Sequence, residues 1–142
     1  STQTAIQRGL SFDVPFNETV IQSFGIKPEN RTLIDWMRLF NIDPEPDSYK
    51  NQKVHVSGFI LKDENFSEDY FMISRFIIAC CAADARPVAL PVHFDSTKFE
   101  ITDGWIDIEA YVTEGIIDGQ RRAVFELTSL TAIDIPLNPY AY

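Results

Sequence analysis

The sequence predicts a mainly β domain of five strands, entered through an N-terminal arm and one short helix. Three observations carry that prediction. From Lys53 to Ile135 apolar residues recur at every second position in five separate runs, the period of strands with one buried face. Gly58 stands in the middle of the first run, where a missing side chain lets one strand coil sharply enough to serve two sheets. The chain also carries 11 Phe, 5 Tyr and 2 Trp, which pack well on a pleated surface. Five such strands suit an OB-fold-like barrel, a five-stranded Greek key of about this size. An immunoglobulin-like sandwich would want about seven strands. An irregular β-sheet domain of no standard topology is the competing arrangement.

Residues 1–31 read as an arm, expected to follow a membrane segment that this chain lacks. Its apolar residues are sparse, and Pro15, Gly25 and Pro28 break any long element, although Phe12, Val14 and Phe16 alternate. The OB-like domain then covers 32–142, with a leading helix over 32–41, TLIDWMRLFN. Thr32 can cap that helix, and Asp35 three residues later favours its positive end. Leu33, Trp36, Met37 and Phe40 fall at i, i+3, i+4 and i+7, an apolar stripe suited to docking on the core. Pro44 and Pro46 prevent continuation, so residues 44–52 connect the helix to the strands.

The first strand starts at Lys53, with Val54, Val56, Gly58 and Ile60 on one face. Residues 62–69 are a polar turn. The second strand runs from Tyr70 to Ala79 and the third from Val88 to Phe94. The helix an OB-fold usually carries before its fourth strand has only residues 95–103 to occupy. The fourth strand, Trp105 to Val112, sets Trp105, Asp107, Glu109 and Tyr111 opposite Ile106, Ile108 and Ala110. Asp118-Gly119 supplies a hairpin turn, the fifth strand runs from Arg122 to Ile135, and Pro136 and Pro139 mark an irregular tail.

A chain of 142 residues accommodates one domain plus an arm and can bury about two-thirds of its unfolded surface. Twenty-one acidic residues against 12 basic ones give a net charge of −9. Such a surface repels phosphate backbones, so nucleic acid is not an expected partner, and an anionic membrane surface is one only for a tethered domain. No apolar run reaches the roughly 18 residues of a spanning helix. Residues 1–10 lack the apolar segment of a signal peptide. The chain starts at Ser and reads as a piece of something longer.

The chemistry concentrates in residues 75–87, RFIIACCAADARP. Cys80 and Cys81 are adjacent and are the only cysteines. Three fates are open to them. They can bind a soft metal with Asp84, drawing on His55 and His93 as well, if the backbone turns so that both thiols reach one ion. They can close a vicinal disulfide, which is strained and needs an oxidising compartment. Or they can be small core residues. Arg75 sits in an otherwise apolar strand and needs a partner; Asp84 is the candidate, and an ion pair would pin the Cys-Cys loop. The ligand-binding candidates are therefore Cys80, Cys81, Asp84 and Arg75, and the metal candidates Cys80, Cys81 and Asp84.

No Gly-rich phosphate loop, G-x-S-x-G elbow or H-E-x-x-H motif is present, so no enzymatic activity is expected. Asn17, Asn30 and Asn65 open N-x-S/T triplets, which arise readily by chance. Strand aromatics can stack bases, but no Lys/Arg stripe interleaves with them.

GFI (58–60), SRFIIACCAADARPVALPV (74–92), GW (104–105) and IPLNPYAY (135–142) together resemble the C-terminal soluble domain of the YcgQ-like family of bacterial membrane proteins. The resemblance covers about residues 32–142, and AIQRGL (5–10) fits the stretch after the last membrane helix. It implies a cell-membrane location with the domain facing the periplasm or extracellular side. It also implies a permease membrane subunit as partner, encoded beside it. Zinc enters as a possible ligand, because the family's gene pair looks zinc-responsive in some bacteria. The family carries no established catalytic residues.

Overall fold

The computed structural model describes residues 25–77 and 86–137, and the backbone of Tyr140 and Ala141. Helix α1 spans Leu33–Ile42. Thr32 and Asp35 close a full capping box: the Thr32 hydroxyl accepts from Asp35 N at 3.2 Å, and Asp35 Oδ2 accepts from Thr32 N at 2.9 Å. The buried surface is wider than the predicted stripe, since Ile34 and Leu39 are covered along with Leu33, Trp36 and Met37. Trp36 is fully buried and meets Phe125 edge-on, ring centroids 5.6 Å apart, with Phe40 also at 5.6 Å and Tyr49 at 6.2 Å. Tyr49 shows that the connector is more than a spacer. A single 3₁₀ turn, Pro46–Ser48, returns the chain so that the Tyr49 hydroxyl lies 2.9 Å from Leu39 O and 2.7 Å from Asp43 O, satisfying carbonyls at the helix C-terminus.

The strands are β1 Lys53–Leu61, β2 Tyr70–Ile77, β3 Arg86–His93, β4 Trp105–Ile117, β5 Gln120–Ile133 and β6 Tyr140–Ala141. Five of them close into a ring: β1 pairs with β4, β4 with β5, β5 with β3, β3 with β2, and β2 returns to β1. The fold is thus mainly β and OB-fold-like, as the alternation predicts. The β1–β2 closure is short, running from Phe59↔Ser74 to Leu61↔Met72. Gly58 stands at its start. A Cβ there would lie 2.5 Å from the Ser74 carbonyl oxygen and 2.9 Å from Ile73 Cγ1, so glycine admits a close backbone approach. The β3–β5 closure is shorter still, a parallel pairing at Val92↔Phe125 and His93↔Glu126.

Several boundaries differ from expectation. β4 runs on to Ile117 because Gly115, a residue that looks like a breaker, sits in the ladder opposite Arg122. Asp118 (φ 52°) and Gly119 (φ 77°) then make the expected tight turn. A bulge at Thr128, whose hydroxyl donates to Glu109 O at 3.0 Å, shifts the register of β5. Residues 95–103 form no helix; Asp95 starts a short turn over 96–98, its side chain accepting from Thr97 N at 2.9 Å. Instead α1, arriving from before β1, packs against β3 and Phe125. The tail adds β6, parallel to Phe76 and Ile77 of β2. The core fills the ring, with Phe71, Ile73, Val88, Val92, Ile108, Val112 and Phe125 all excluded from solvent. Among the described residues no helix is long and apolar enough to cross a membrane.

Candidate functional site

The outward positions of β1, β2 and β4 share one face, fixed by the register Ser57↔Asp107, Phe59↔Trp105, Phe59↔Ser74 and Leu61↔Met72. A sheet with one solvated face should carry polar residues there. One end of this face obeys: Lys53, His55, Ser57, Asp107 and Glu109. The other end does not: Phe59, Leu61, Met72, Phe76 and Trp105 follow. Phe59 is the hub, with its ring 5.5 Å from that of Phe76 and 5.4 Å from that of Trp105. Phe76 and Leu61 keep 40% and 42% of their surface exposed, so the described residues leave the patch uncovered.

Arg75 joins the two ends. Its guanidinium lies over the Trp105 ring, 5.6 Å from the centroid, and its Nη1 donates to Ser57 Oγ at 3.3 Å. Burial pushes its pKa below the usual arginine value. Beside the polar end, a cleft of about 420 Å³ opens between the first turn of α1 and the sheet, lined by Arg31, Thr32, His55, Ser57, Arg75 and Asp107. Within it His55 Nε2 and Asp107 Oδ2 are 2.8 Å apart. Arg31 serves the scaffold. It is buried, lies 4.6 Å over Trp36, and its Nη1 donates to Gln52 Oε1 at 2.8 Å. The arrangement offers an aromatic platform, one stacked cation and a polar flank, the residue types that dominate protein docking surfaces.

Of the sequence-derived candidates, the structure places Arg75 at this face. Cys80, Cys81 and Asp84 lie outside the described residues, and so does the Arg75–Asp84 pair. The described ends of their segment are joined by the Ile77↔Arg86 pairing. His55 and His93 sit on different strands, β1 and β3. Among the described residues no group of three or more His, Cys, Asp or Glu side chains is disposed to hold a metal ion. What sequence reasoning missed is the meeting of Phe59, Phe76 and Trp105. The alternation of β4 already puts Trp105 outward, but only the β1–β2 register brings the phenylalanines to it.

Residues 17–142 match the family model described as the DUF1980 C-terminal domain. No curated protein matches the chain. Among solved structures the chain is similar to the crystal structure of a small single-stranded DNA binding protein from Mycoplasma pneumoniae. That match is 14% identical, has a TM-score of 0.36, and covers 62% of this chain and 96% of that one.

Proposed function

Since this chain belongs to the DUF1980 C-terminal domain family, we propose that it is a non-catalytic binding module of a membrane protein, docked as accessory subunit on a permease through the apolar end of the β1–β2–β4 face. The observation that carries the reading is the Phe59–Phe76–Trp105 cluster with Arg75 stacked on it. Aromatic and arginine side chains at the centre of a patch supply most of the energy of a typical interface. The module works at the cell membrane, on the periplasmic or extracellular side. We assign zinc or another soft metal to the Cys80-Cys81-Asp84 segment, whose two thiols and carboxylate are donor types found in such sites.

The docking half is tested by co-purification of the full-length membrane protein with its neighbouring permease. Leu61→Glu/Phe76→Glu is expected to abolish capture while leaving the far-ultraviolet circular dichroism of the isolated chain unchanged. A folded double variant that still captures the permease refutes it. The metal half is tested by titrating zinc and Cu(I) while measuring thiol accessibility. Two inaccessible thiols with no binding above micromolar background end that role. An aromatic face could also stack single-stranded bases, but a net charge of −9 opposes a phosphate backbone, and no gel shift is expected even at low salt.

A further inference from the structure

We infer that Asp69, His93 and Glu126 form a proton-operated latch that holds the ring shut where β3 meets β5. The site shares no residue with the docking face. Among the described residues β3 is joined to β5 at two positions, Val92↔Phe125 and His93↔Glu126, and His93 is also in register with Tyr70 of β2. One residue therefore touches three strands at the ring's shortest closure. Its Nδ1 lies 2.7 Å from Glu126 Oε1 and its Nε2 lies 2.9 Å from Asp69 Oδ2. The backbone repeats the link, since Phe94 N donates to Asp69 O at 3.0 Å.

A neutral imidazole has one N–H and one bare lone pair. It can donate to one carboxylate and must turn its lone pair on the other. Only the imidazolium ion donates to two ionised carboxylates at once, so this geometry suits a charged histidine between Glu126 and Asp69. The charged and titratable groups facing the ring come from every neighbouring element. They are Asp69 from the turn before β2, Tyr70 on β2 with its ring 4.9 Å away, Glu126 on β5, and Asp95 just beyond β3. Three of the four are carboxylates. Partial burial disfavours the charged ring, but the bonds to Glu126 and Asp69 outweigh it, and the His93 pKa is raised. Tyr70 moves upward as well, through burial and then the charges of Asp69 and Glu126.

Proton binding is tighter in the folded chain, so the latch contributes fully below the unfolded imidazole value of about 6.5. That contribution is lost as pH rises through the folded value. The ring is therefore held at mildly acid to neutral pH and released in alkali, the reverse of histidine switches that open when protonated.

The test is nitrogen-15 NMR of the imidazole rings in the intact chain, with urea unfolding measured across neutral and alkaline pH. His93 is expected to show protons on both ring nitrogens at neutral pH and to titrate above the ordinary imidazole value. The amides of Val92 and Phe125 are expected to shift with the same midpoint. The urea midpoint should fall across that titration in the wild type and stay level in His93→Gln and in Asp69→Asn/Glu126→Gln. A His93 ring that is neutral at pH 7, or an alkaline loss unchanged in His93→Gln, overturns the latch. Should His93→Gln not fold, the wild-type ring titration and the milder single variant Glu126→Gln decide the matter.

Discussion

Replacing Gly58 with alanine tests how the ring is closed between β1 and β2. The added Cβ would sit 2.5 Å from the Ser74 carbonyl oxygen, below the 3.0 Å that real Cβ atoms respect, so something must yield by about 0.5 Å. The obstacle is backbone, and that backbone is paired at Phe59↔Ser74 and Ile60↔Ile73 immediately alongside. Forcing a methyl into such a site costs about 1–3 kcal/mol. Gly58 lies outside the left-handed region, so alanine can adopt its conformation, and restricting the unfolded chain returns about 0.4–1 kcal/mol. The net expectation is a loss of about 1–2 kcal/mol, read from urea unfolding followed by the fluorescence of Trp36 and Trp105. Gly115→Ala is the matched comparison. Its Cβ would meet the Tyr70 hydroxyl at 2.6 Å and Val124 methyls at 3.1 Å, but the nearest obstacle is the tip of a side chain that can swing. Its loss should be smaller, under about 1 kcal/mol. A Gly58→Ala chain as stable as the wild type, or less affected than Gly115→Ala, refutes the close-approach account.

Trp36→Ala removes the fully buried indole that joins α1 to Phe125, and should cost about 3–5 kcal/mol in the same unfolding assay. Thr32→Ala deletes the hydroxyl half of the capping box and should cost about 1 kcal/mol, with circular dichroism showing the helix retained. Tyr49→Phe keeps the buried ring but strips the proton shared between Leu39 O and Asp43 O. The expected loss is about 1 kcal/mol, with faster hydrogen exchange confined to the end of α1. A loss near zero would mean that water replaces the hydroxyl.

Local signals made much of this fold readable. Thr32 and Asp35 sit three apart and announced the start of α1, and Asp118-Gly119 announced the β4–β5 turn. The two-residue period from Lys53 marked out β1 as it stands in the structure. Gly115 hid the second half of β4, because a glycine required for the approach of Tyr70 looks the same in sequence as one that ends a strand. β6 was unreadable, since two residues have no period. Arg75 stood out as a charge in an apolar strand, yet its stacking on Trp105 depends on β2 meeting β1 and β4, which no local pattern encodes. The same holds for His93 and Glu126, 33 residues apart and joined by a parallel pairing that exists only once the ring has closed.

The β4–β5 hairpin pairs from Ile117↔Gln120 down to Trp105↔Ile133, broken once by the bulge at Thr128, while β3 pairs with β5 over two positions. Its residues are near neighbours along the chain, so the hairpin can zip from its turn with little entropy lost at each step. Joining β3 to β5 reaches across the whole β4–β5 excursion and comes late. Substitutions along the hairpin should therefore slow refolding, whereas those around Val92 and Phe125 should leave that rate intact and hasten escape from the native state.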